Sequence, residues 1–175
     1  MAELHPLIVN VAELLRHPMS RAEVHTQVPS EGFTVLDSSV PAGTPITVDV
    51  ALESLNDGIV VTGRVSAPWQ GACRRCLGVA GGTLEVLVSE LYQARPQTDE
   101  AFPINGDLLD LEPLVREAVL LELPLAPLCR GDCAGLCPEC GVDRNESDCG
   151  HGGVAGDPRW AALDELRERL DHPTN

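Results

Sequence analysis

The sequence feature that most constrains this chain is a cysteine-rich stretch near its C-terminal end, from Leu128 to His151. Its centre reads Cys137-Pro-Glu-Cys140-Gly141. Two residues between the thiolates let both sulfurs reach one ion about 2.3 Å away, and glycine tolerates the positive φ of the turn that follows. This arrangement is typical of a metal-binding knuckle.

A second C-x2-C pair, Cys73-Arg-Arg-Cys76, lies far upstream. One such pair is a weak signal, but two pairs with further cysteines and a histidine form a strong one. The candidate ligands are Cys73, Cys76, Cys129, Cys133, Cys137, Cys140, Cys149 and His151. Eight ligands divide into two tetrahedral sites, and one partition joins the first four of these residues and then the last four. Sulfur-rich tetrahedral sites suit zinc, so we predict two zinc ions.

Three other uses of these cysteines stay open from the residues alone: an iron–sulfur cluster, a single zinc ion with the remaining thiols free, and a redox dithiol. A redox dithiol needs its C-x2-C pair at a helix N-terminus, which lowers one thiol pKa. Gly78, Gly81 and Gly82 after the first pair argue against a helix there. The chain also has no G-x-G-x-x-G, P-loop, G-x-S-x-G or H-E-x-x-H motif. We therefore expect no catalytic residues, no enzymatic activity and no small-molecule substrate.

Patterns near the N-terminus bear on the compartment. The first residues, MAELHPLIVNVAELLRHP, lack a basic region followed by a long apolar one, so a signal peptide is not expected. The sequence contains no run of eighteen apolar residues, so neither a transmembrane helix nor a membrane partner is expected. These features predict a cytoplasmic protein. Cysteines stay reduced in that compartment, and their odd number, seven, also favours metal over disulfides.

Charge restricts the partners that the chain can bind. It carries 27 acidic residues against 12 lysines and arginines, a net charge of −15. Such a balance does not suit a general nucleic-acid binder, because contacts to phosphates need clustered positive charge. The stretch from Gly58 to Leu84, however, contains no acidic residue.

That acid-free stretch is the candidate RNA-binding region, and its candidate residues are Arg64, Trp69, Arg74 and Arg75. Arginine can bind phosphate through two parallel hydrogen bonds, and tryptophan can stack on an unpaired base. The alternative is structural. The arginines would then offset the charge of the thiolates, and Trp69 would fill a gap in a core with only 3% aromatic residues.

Apolar and polar residues alternate with period two in three neighbouring segments, 46–52, 59–66 and 84–88. Asn56-Asp57-Gly58 between the first two has the composition of a hairpin turn. The pattern predicts an antiparallel meander with one buried face, and it places the first knuckle between its second and third strands. Shorter strands are predicted at 7–11 and 21–28, with one or two helical turns at 11–16.

A helix is predicted from Asp110 to Leu123, with Pro113 tolerated in its first turn. Its apolar face, expected to cover the sheet, consists of Leu111, Leu114, Val115, Ala118, Val119 and Leu121. The proline-containing segment 94–105 is predicted to be a mobile loop. Near the end, a glycine-rich linker precedes a helix predicted at 158–170, whose apolar stripe includes Trp160 and Leu163.

The predicted fold class is therefore α+β. An antiparallel β meander or barrel-like core is covered by a helix, and a zinc knuckle is appended on the C-terminal side. In domain terms we predict a β-rich core over 1–128 with its covering helix at 110–123. The cysteine-rich zinc segment would follow at 129–151, and the linker with the last helix at 152–175.

Four segments together resemble one bacterial family. They are PLIVNVAELLRHPMSR, NDGIVVTGRVSAPWQGACRRC, DLLDLEPLVREAVLLELPLAPLC and CAGLCPECGVDRNESDC. The combination is similar to the YceD family of large ribosomal RNA subunit accumulation proteins, over about Pro6 to His151. Some similar sequences lack the cluster Cys137–His151 but keep the earlier pair, which favours two separate sites. His151 stands where similar sequences often have cysteine, a conservative change for zinc. The C-terminal helix falls outside the resemblance.

The resemblance implies a non-catalytic role in the accumulation of 23S ribosomal RNA, through its synthesis, processing or stability, and in assembly of the large subunit. The partner would be ribosomal RNA of the large subunit or a large-subunit ribosomal protein. The alternative function is a zinc-stabilised adaptor, or a chaperone for a basic ribosomal protein, without direct contact to RNA. The net charge of −15 is easier to reconcile with that alternative.

Overall fold

A computed structural model describes residues 5–96, 101–151 and 163 of the chain. The described part is mostly β-structure. Its strands are β1 (Ile8–Asn10), β2 (Arg21–Pro29), β3 (Phe33–Val35), β4 (Ser38–Val40), β5 (Pro45–Ser54), β6 (Ile59–Ala72), β7 (Val79–Gln93), β8 (Phe102–Asn105) and β9 (Leu108–Asp110). Its two helices are α1 (Ala12–Arg16) and α2 (Glu112–Glu122).

The predicted meander is confirmed. β5 pairs antiparallel with β6, and β6 with β7, so that Val65 lies between Val48 and Val86 in register. On β5, Ile46, Val48 and the other alternating apolar side chains are buried, as the period-two pattern requires. β2 adds a fourth antiparallel strand on the far side of β5.

The length of β6 shapes the sheet. All 14 residues of this strand pair with β7 on one edge, whereas β5 and then β4 share the other edge. The described strands form a curled half-barrel sheet, which agrees with the barrel-like core expected from the sequence. Gly63 lies at a close approach between β6 and β5. A Cβ atom there would collide with the backbone of Asp49 and Val50, so only glycine fits.

Helix α2 packs against the sheet through Leu114, Val115, Ala118 and Val119, which are all buried. Just before the helix, the Asp110 carboxylate accepts a hydrogen bond from the Glu112 backbone N–H at 2.9 Å. The prediction that Leu121 belongs to the buried face of the helix is wrong, because this side chain is 79% exposed. Its neighbour Leu123, at the helix end, is buried instead and completes the contact with the core.

Two other predictions need correction or completion. Residues 102–105, predicted within a mobile loop, form β8, which pairs in parallel with the end of β7 and antiparallel with β9. Their proline-containing sequence hid this strand, which pairs over only two residues on each side. A further hairpin, for which we made no prediction, forms where β4 pairs with β3. The predicted C-terminal helix lies outside the described residues except at Leu163, which is helical and exposed.

The chain divides into two compact units, Met1–Cys133 and Ala134–Asn175. Cys129 and Cys133 therefore belong to the sheet-containing unit, which also contains Cys73 and Cys76. Within the described residues, no helix has the length and apolar character needed to cross a bilayer.

Candidate metal centres

The first cysteine cluster lies in the sheet-containing unit. It brings together Cys73, Cys76, Cys129 and Cys133, with all four sulfurs within 4.8 Å of one another. The Sγ atoms of Cys73 and Cys133 are 3.8 Å apart, and those of Cys76 and Cys129 are 3.7 Å apart. A disulfide would need about 2.05 Å, so these cysteines are free thiols.

Those separations fit a tetrahedral ion. Four sulfurs at about 2.3 Å from a zinc ion would stand about 3.8 Å from one another. The first cluster meets this distance at both measured edges. It can therefore hold a metal ion of the kind that sulfur ligands prefer.

The backbone after β6 builds the first half of this cluster. The Leu77 N–H donates to the Cys73 carbonyl at 2.8 Å, and the Cys73 N–H donates to the Gly78 carbonyl at 2.7 Å. This tight knuckle turns the chain from β6 into β7, because Ala72 pairs with Val79. The sheet itself therefore fixes the positions of two sulfurs.

The chain after α2 supplies the other two sulfurs, and hydrogen bonds hold it to the knuckle. The Arg74 N–H donates to the Pro127 carbonyl at 2.8 Å. The Arg75 guanidinium donates to the Cys133 carbonyl at 2.9 Å. Neither hydrogen bond was predicted from the sequence, because the sequence of an irregular segment does not indicate which backbone carbonyl groups a distant residue will contact. Arg75 thus has a structural use within the first cluster.

A small apolar group surrounds the first cluster. Cys73 and Cys133 are buried with Ala80, and Trp69, Cys76 and Leu128 pack against them. Trp69 also contacts the main core of the sheet. The ion would therefore lie in a region that is already packed without it.

The second cluster lies wholly in the unit that begins at Ala134. It brings together Cys137, Cys140, Cys149 and His151, whose ligand atoms also lie within 4.8 Å of one another. The Cys137 Sγ and the His151 Nδ1 are 3.8 Å apart. Three sulfurs and one imidazole nitrogen are a common ligand set for structural zinc.

The second knuckle repeats the hydrogen bonds of the first. The Gly141 N–H donates to the Cys137 carbonyl at 2.9 Å, and the Cys137 N–H donates to the Val142 carbonyl at 2.8 Å. The residue after each pair has positive φ, +74° at Gly141 and +61° at Leu77. The sequence predicted this conformation at Gly141. At Leu77 the same turn forms at a steric cost, because leucine avoids the left-handed region.

Asx-type hydrogen bonds order the rest of the second segment. The Asp143 carboxylate accepts a hydrogen bond from the Asn145 N–H at 2.8 Å, and the Asn145 side-chain oxygen accepts one from the Ala134 N–H at 2.8 Å. The spacing of aspartate and asparagine two residues apart signals such a turn in the sequence. Within 134–151 only Gly135 and Cys137 are buried, so side-chain packing contributes little here.

In each cluster the pKa of one thiol is lowered. Backbone N–H groups of Cys76 and Cys129 lower the pKa of Cys73 to about 6, and those of Cys140 and Glu139 lower the pKa of Cys137 to about 6. In the first cluster, desolvation and the Cys133 thiol raise the pKa of Cys129 to about 12. Neighbouring sulfurs thus resist joint ionisation, and a bound cation would relieve this repulsion.

The four candidate RNA-binding residues do not form one patch. Arg64 faces outward on β6, 3.8 Å from the Glu85 carboxylate. It lies eight residues before the end of that strand, roughly 26 Å from the knuckle at strand spacing. Trp69 is on the opposite, inward face and is half-buried. Arg74 and Arg75 are exposed on the knuckle itself.

The described residues thus combine a curled β-sheet with two cysteine clusters that are able to hold metal ions. The family model described as "Large ribosomal RNA subunit accumulation protein YceD" matches residues 61–167, and the chain belongs to this YceD family. The match begins on β6, includes both clusters and extends beyond His151 into the predicted C-terminal helix, which the sequence resemblance had left outside.

Relatives extend over most of the chain. An uncharacterized protein of Mycobacterium tuberculosis is 39% identical over 169 residues, which cover 92% of this chain and 81% of that protein. The uncharacterized protein YlbN of Bacillus subtilis is 24% identical over 92% of this chain and 96% of its own. A chloroplastic YCED homolog 1 of Arabidopsis thaliana, named as a large ribosomal RNA subunit accumulation protein, is 30% identical over 39% of this chain and 22% of its own. No solved structure matches the chain significantly.

Proposed function

We propose that this protein is a non-catalytic factor for the accumulation of 23S ribosomal RNA and for assembly of the large ribosomal subunit, acting in the cytoplasm. The observation that carries the proposal is the match to the YceD family over 61–167, because that range includes both cysteine clusters. The accumulation role comes from the family description and from the printed name of the chloroplastic relative.

Each cluster would hold one structural zinc ion. Cys73, Cys76, Cys129 and Cys133 would bind the first ion, and Cys137, Cys140, Cys149 and His151 the second. Four protein ligands leave no open coordination position, which is the arrangement of structural rather than catalytic zinc. Elemental analysis of protein purified without added metal should give about two zinc ions per chain. A ratio near one, or substantial iron, would contradict this assignment.

The partner would be ribosomal RNA of the large subunit or one of its proteins. Co-sedimentation of tagged protein with precursor large-subunit particles tests the association, and RNase treatment separates the two kinds of partner. RNA contact predicts release by RNase, whereas protein contact predicts that a ribosomal protein stays bound. If the protein never enters these particles and its deletion leaves 23S RNA levels unchanged, the proposed function is wrong.

Direct RNA contact would use the exposed arginines of the first knuckle. The hydrogen bonds of these two arginines indicate which of them is better suited to substitution. Arg75 donates to the Cys133 carbonyl, so changing it would also disturb the first centre. Arg74 is the cleaner probe, because no side-chain partner of Arg74 is found among the described residues and its fixed backbone N–H survives substitution. Arg74→Glu should weaken RNA association while zinc content and thermal stability stay near those of the wild type. Arg64→Glu serves as the comparison, since its guanidinium lies beside Glu85 and far from the knuckle.

The second candidate function, a chaperone or adaptor for a basic ribosomal protein, is favoured by the net charge of −15. Acidic surface repels RNA phosphates and attracts a basic polypeptide. An Arg74→Glu variant that keeps full association with the particles would favour this candidate over direct RNA binding.

A further inference from the structure

Strand β7 has an open edge next to helix α2. β6 pairs with one edge of β7 from Val79 to Tyr92, which is nearly the whole strand. On the other edge, β8 pairs only at Tyr92 and Gln93. Among the strands that the structure describes, none pairs with the outer edge of β7 from Val79 to Leu91. Along such an edge every second residue directs its N–H and C=O groups away from the sheet.

An apolar groove of about 270 Å³ lies between this edge and α2. Three successive β7 residues, Val86, Leu87 and Val88, line it together. Successive side chains point to opposite faces of a sheet, so one groove can contact all three only by running along the strand edge. The remaining apolar wall is formed by Phe102, Leu114, Ala118 and Leu121.

Two of the leucines that line the groove are highly exposed. Leu87 is 77% exposed and Leu121 is 79% exposed. The position of Leu121 in the amphipathic pattern of α2 predicted burial, yet the sheet does not reach it. Large apolar side chains that rim an apolar groove are typical of an interaction surface, whereas single scattered ones are not.

The charged residues around the groove are all acidic. Glu90, Glu117 and Glu122 line it, and no lysine or arginine does. None of these three carboxylates has an ion pair among the described residues. Arg116, next to Glu117 on the helix, points elsewhere, since its guanidinium lies over the ring of Phe33 at 5.5 Å. The apolar groove is thus surrounded by three carboxylates whose negative charge no ion pair among the described residues neutralises.

We propose that the β7 edge groove binds a basic segment of a partner protein, with lysines or arginines alternating with apolar residues. The segment would lie extended along β7, add a strand to the sheet through main-chain hydrogen bonds, and place its apolar side chains in the groove. Its cations would neutralise the three glutamates. This inference rests on the second proposed function, because it gives a surface to recognition of a basic ribosomal protein.

Charge favours this occupant over two others. A second copy docked edge to edge would place the same glutamates against each other on chains of net charge −15. The residues after His151 carry more acidic than basic side chains, so they match the rim poorly as well. Both occupants are outcomes that the experiment below distinguishes.

The test uses the full chain and a fluorescent peptide of alternating lysine and valine, with binding measured by fluorescence anisotropy. The double variant Glu117→Lys, Glu122→Lys should weaken binding about tenfold, because it replaces attraction by repulsion at the rim. The matched control is Glu31→Lys, Glu146→Lys. It changes the net charge equally at exposed positions outside the groove and should leave affinity nearly unchanged. Equal losses in both double variants would mean that net charge alone binds the peptide, and the proposal would be wrong.

Two further measurements address the apolar floor and the strand edge. Leu121→Ser should weaken binding about fivefold with little change in thermal stability, because the side chain is already exposed. A peptide N-methylated at every residue has no main-chain N–H donor for strand addition and should bind at least about tenfold more weakly. Binding that is insensitive to both changes would overturn the groove as the site.

The competing occupants give different results. Sedimentation equilibrium of the protein alone should show no dimer that Leu121→Ser dissociates, and such a dimer would assign the groove to a second copy. A glutamate–valine peptide that binds as well as the lysine–valine peptide would overturn the stated chemistry. Amide exchange on β7 that increases when Leu163 is changed to Ser would assign the groove to the C-terminal segment. None of these results bears on co-sedimentation with ribosomal particles, so failure here is distinguishable from failure of the proposed function.

Discussion

Each of the two candidate metal centres contains a knuckle with the same hydrogen-bond pattern, but the surroundings of the two knuckles differ. The first is formed by the connection between β6 and β7 and by the chain after α2, and its buried sulfurs pack with Ala80 and Trp69. The second is held within residues 134–151, where Gly135 and Cys137 are the buried residues. A bound metal ion would therefore fasten an existing core in the first unit and would replace a core in the second.

This difference matters for stability because metal binding energy adds to the free energy of folding. Where packing already orders the ligands, losing the ion removes only part of the stabilisation. Where the ligands are ordered by the ion alone, losing it unfolds the segment. The five predictions that follow test this contrast, in decreasing order of expected effect.

The largest effect is expected at the second centre. Cys137→Ser should remove one zinc ion and unfold residues 134–151, because binding of structural zinc by small peptides is worth about 10–16 kcal/mol and little else holds this segment. Hydrogen exchange should show complete loss of amide protection there, for example at Gly141 and Arg144, with β5–β7 unchanged. Persistent protection in the variant would mean that the Asx turns suffice without metal.

At the first centre the loss should be smaller and more widespread. Cys73→Ser should lower the free energy of unfolding of the sheet unit by about 4 kcal/mol, for free zinc about a thousandfold above its dissociation constant. The sheet should still fold, since its core remains. Chemical denaturation with zinc analysis measures both, and Cys137→Ser is the matched control, which should leave this transition in place. Equal effects of the two variants on the sheet would remove the contrast.

The packed core that distinguishes the first unit can be tested directly on α2. Leu114 is buried, and Leu114→Ala should cost about 2–5 kcal/mol through lost contacts and a residual cavity. Leu121→Ala on the same helix should cost less than about 0.5 kcal/mol, because Leu121 is 79% exposed. Similar losses at both positions, measured by denaturant titration, would mean that the helix packs differently.

The residue that follows each C-x2-C pair differs between the centres, glycine at 141 and leucine at 77, and the two residue types can be exchanged by substitution. Gly141→Leu gives the second knuckle the residue of the first and should cost about 1 kcal/mol, because a leucine at φ +74° is strained. Competition with a chelator should then show about fivefold weaker zinc binding at the second centre. Leu77→Gly, the reciprocal change, should have little net effect, since relief of strain is offset by the greater entropy of unfolded glycine. An unchanged affinity in Gly141→Leu would show that the second turn is not fixed in this conformation.

The smallest effect separates the pH dependence of the sheet from that of the metal centres. His25 on β2 contacts the Asp49 carboxylate at 2.9 Å and Glu23 at 3.6 Å, and these acids raise its pKa above 6.5. Its stabilisation is therefore full below pH 6.5 and is lost as the pH rises through the higher pKa of the folded state. Metal binding has the opposite dependence, because acid protonates the thiolates.

We expect only a small difference between wild type and His25→Gln, present at low pH and absent at high pH, because the pair is exposed. NMR titration of His25 would measure its pKa, and denaturation across pH would measure the stability. A pKa at or below 6.5 would contradict this prediction.

Local patterns in the sequence were sufficient to predict those helices and strands that bury one face along their whole length. The alternation in β5, β6 and β7 and the helical period of α2 each report one buried face. The C-x2-C spacing reports two sulfurs for one ion. Where a face is only partly covered the pattern misleads, as at Leu121, because periodicity cannot indicate how far the neighbouring sheet extends. The short strands β8 and β9 escaped detection because each of their pairings spans only two or three residues.

The sequence by itself determined the chemical character of this protein: eight candidate metal ligands, an acid-free stretch and a strong net negative charge. Only the tertiary structure decided which sulfurs meet, that Arg75 supports the first centre, that Trp69 and Arg64 lie on opposite faces, and that one edge of β7 stays open beside α2. The physical reason is that ligand type and charge belong to single residues. Pairing, register and exposure depend instead on which distant segments the whole chain can bury together at the lowest free energy.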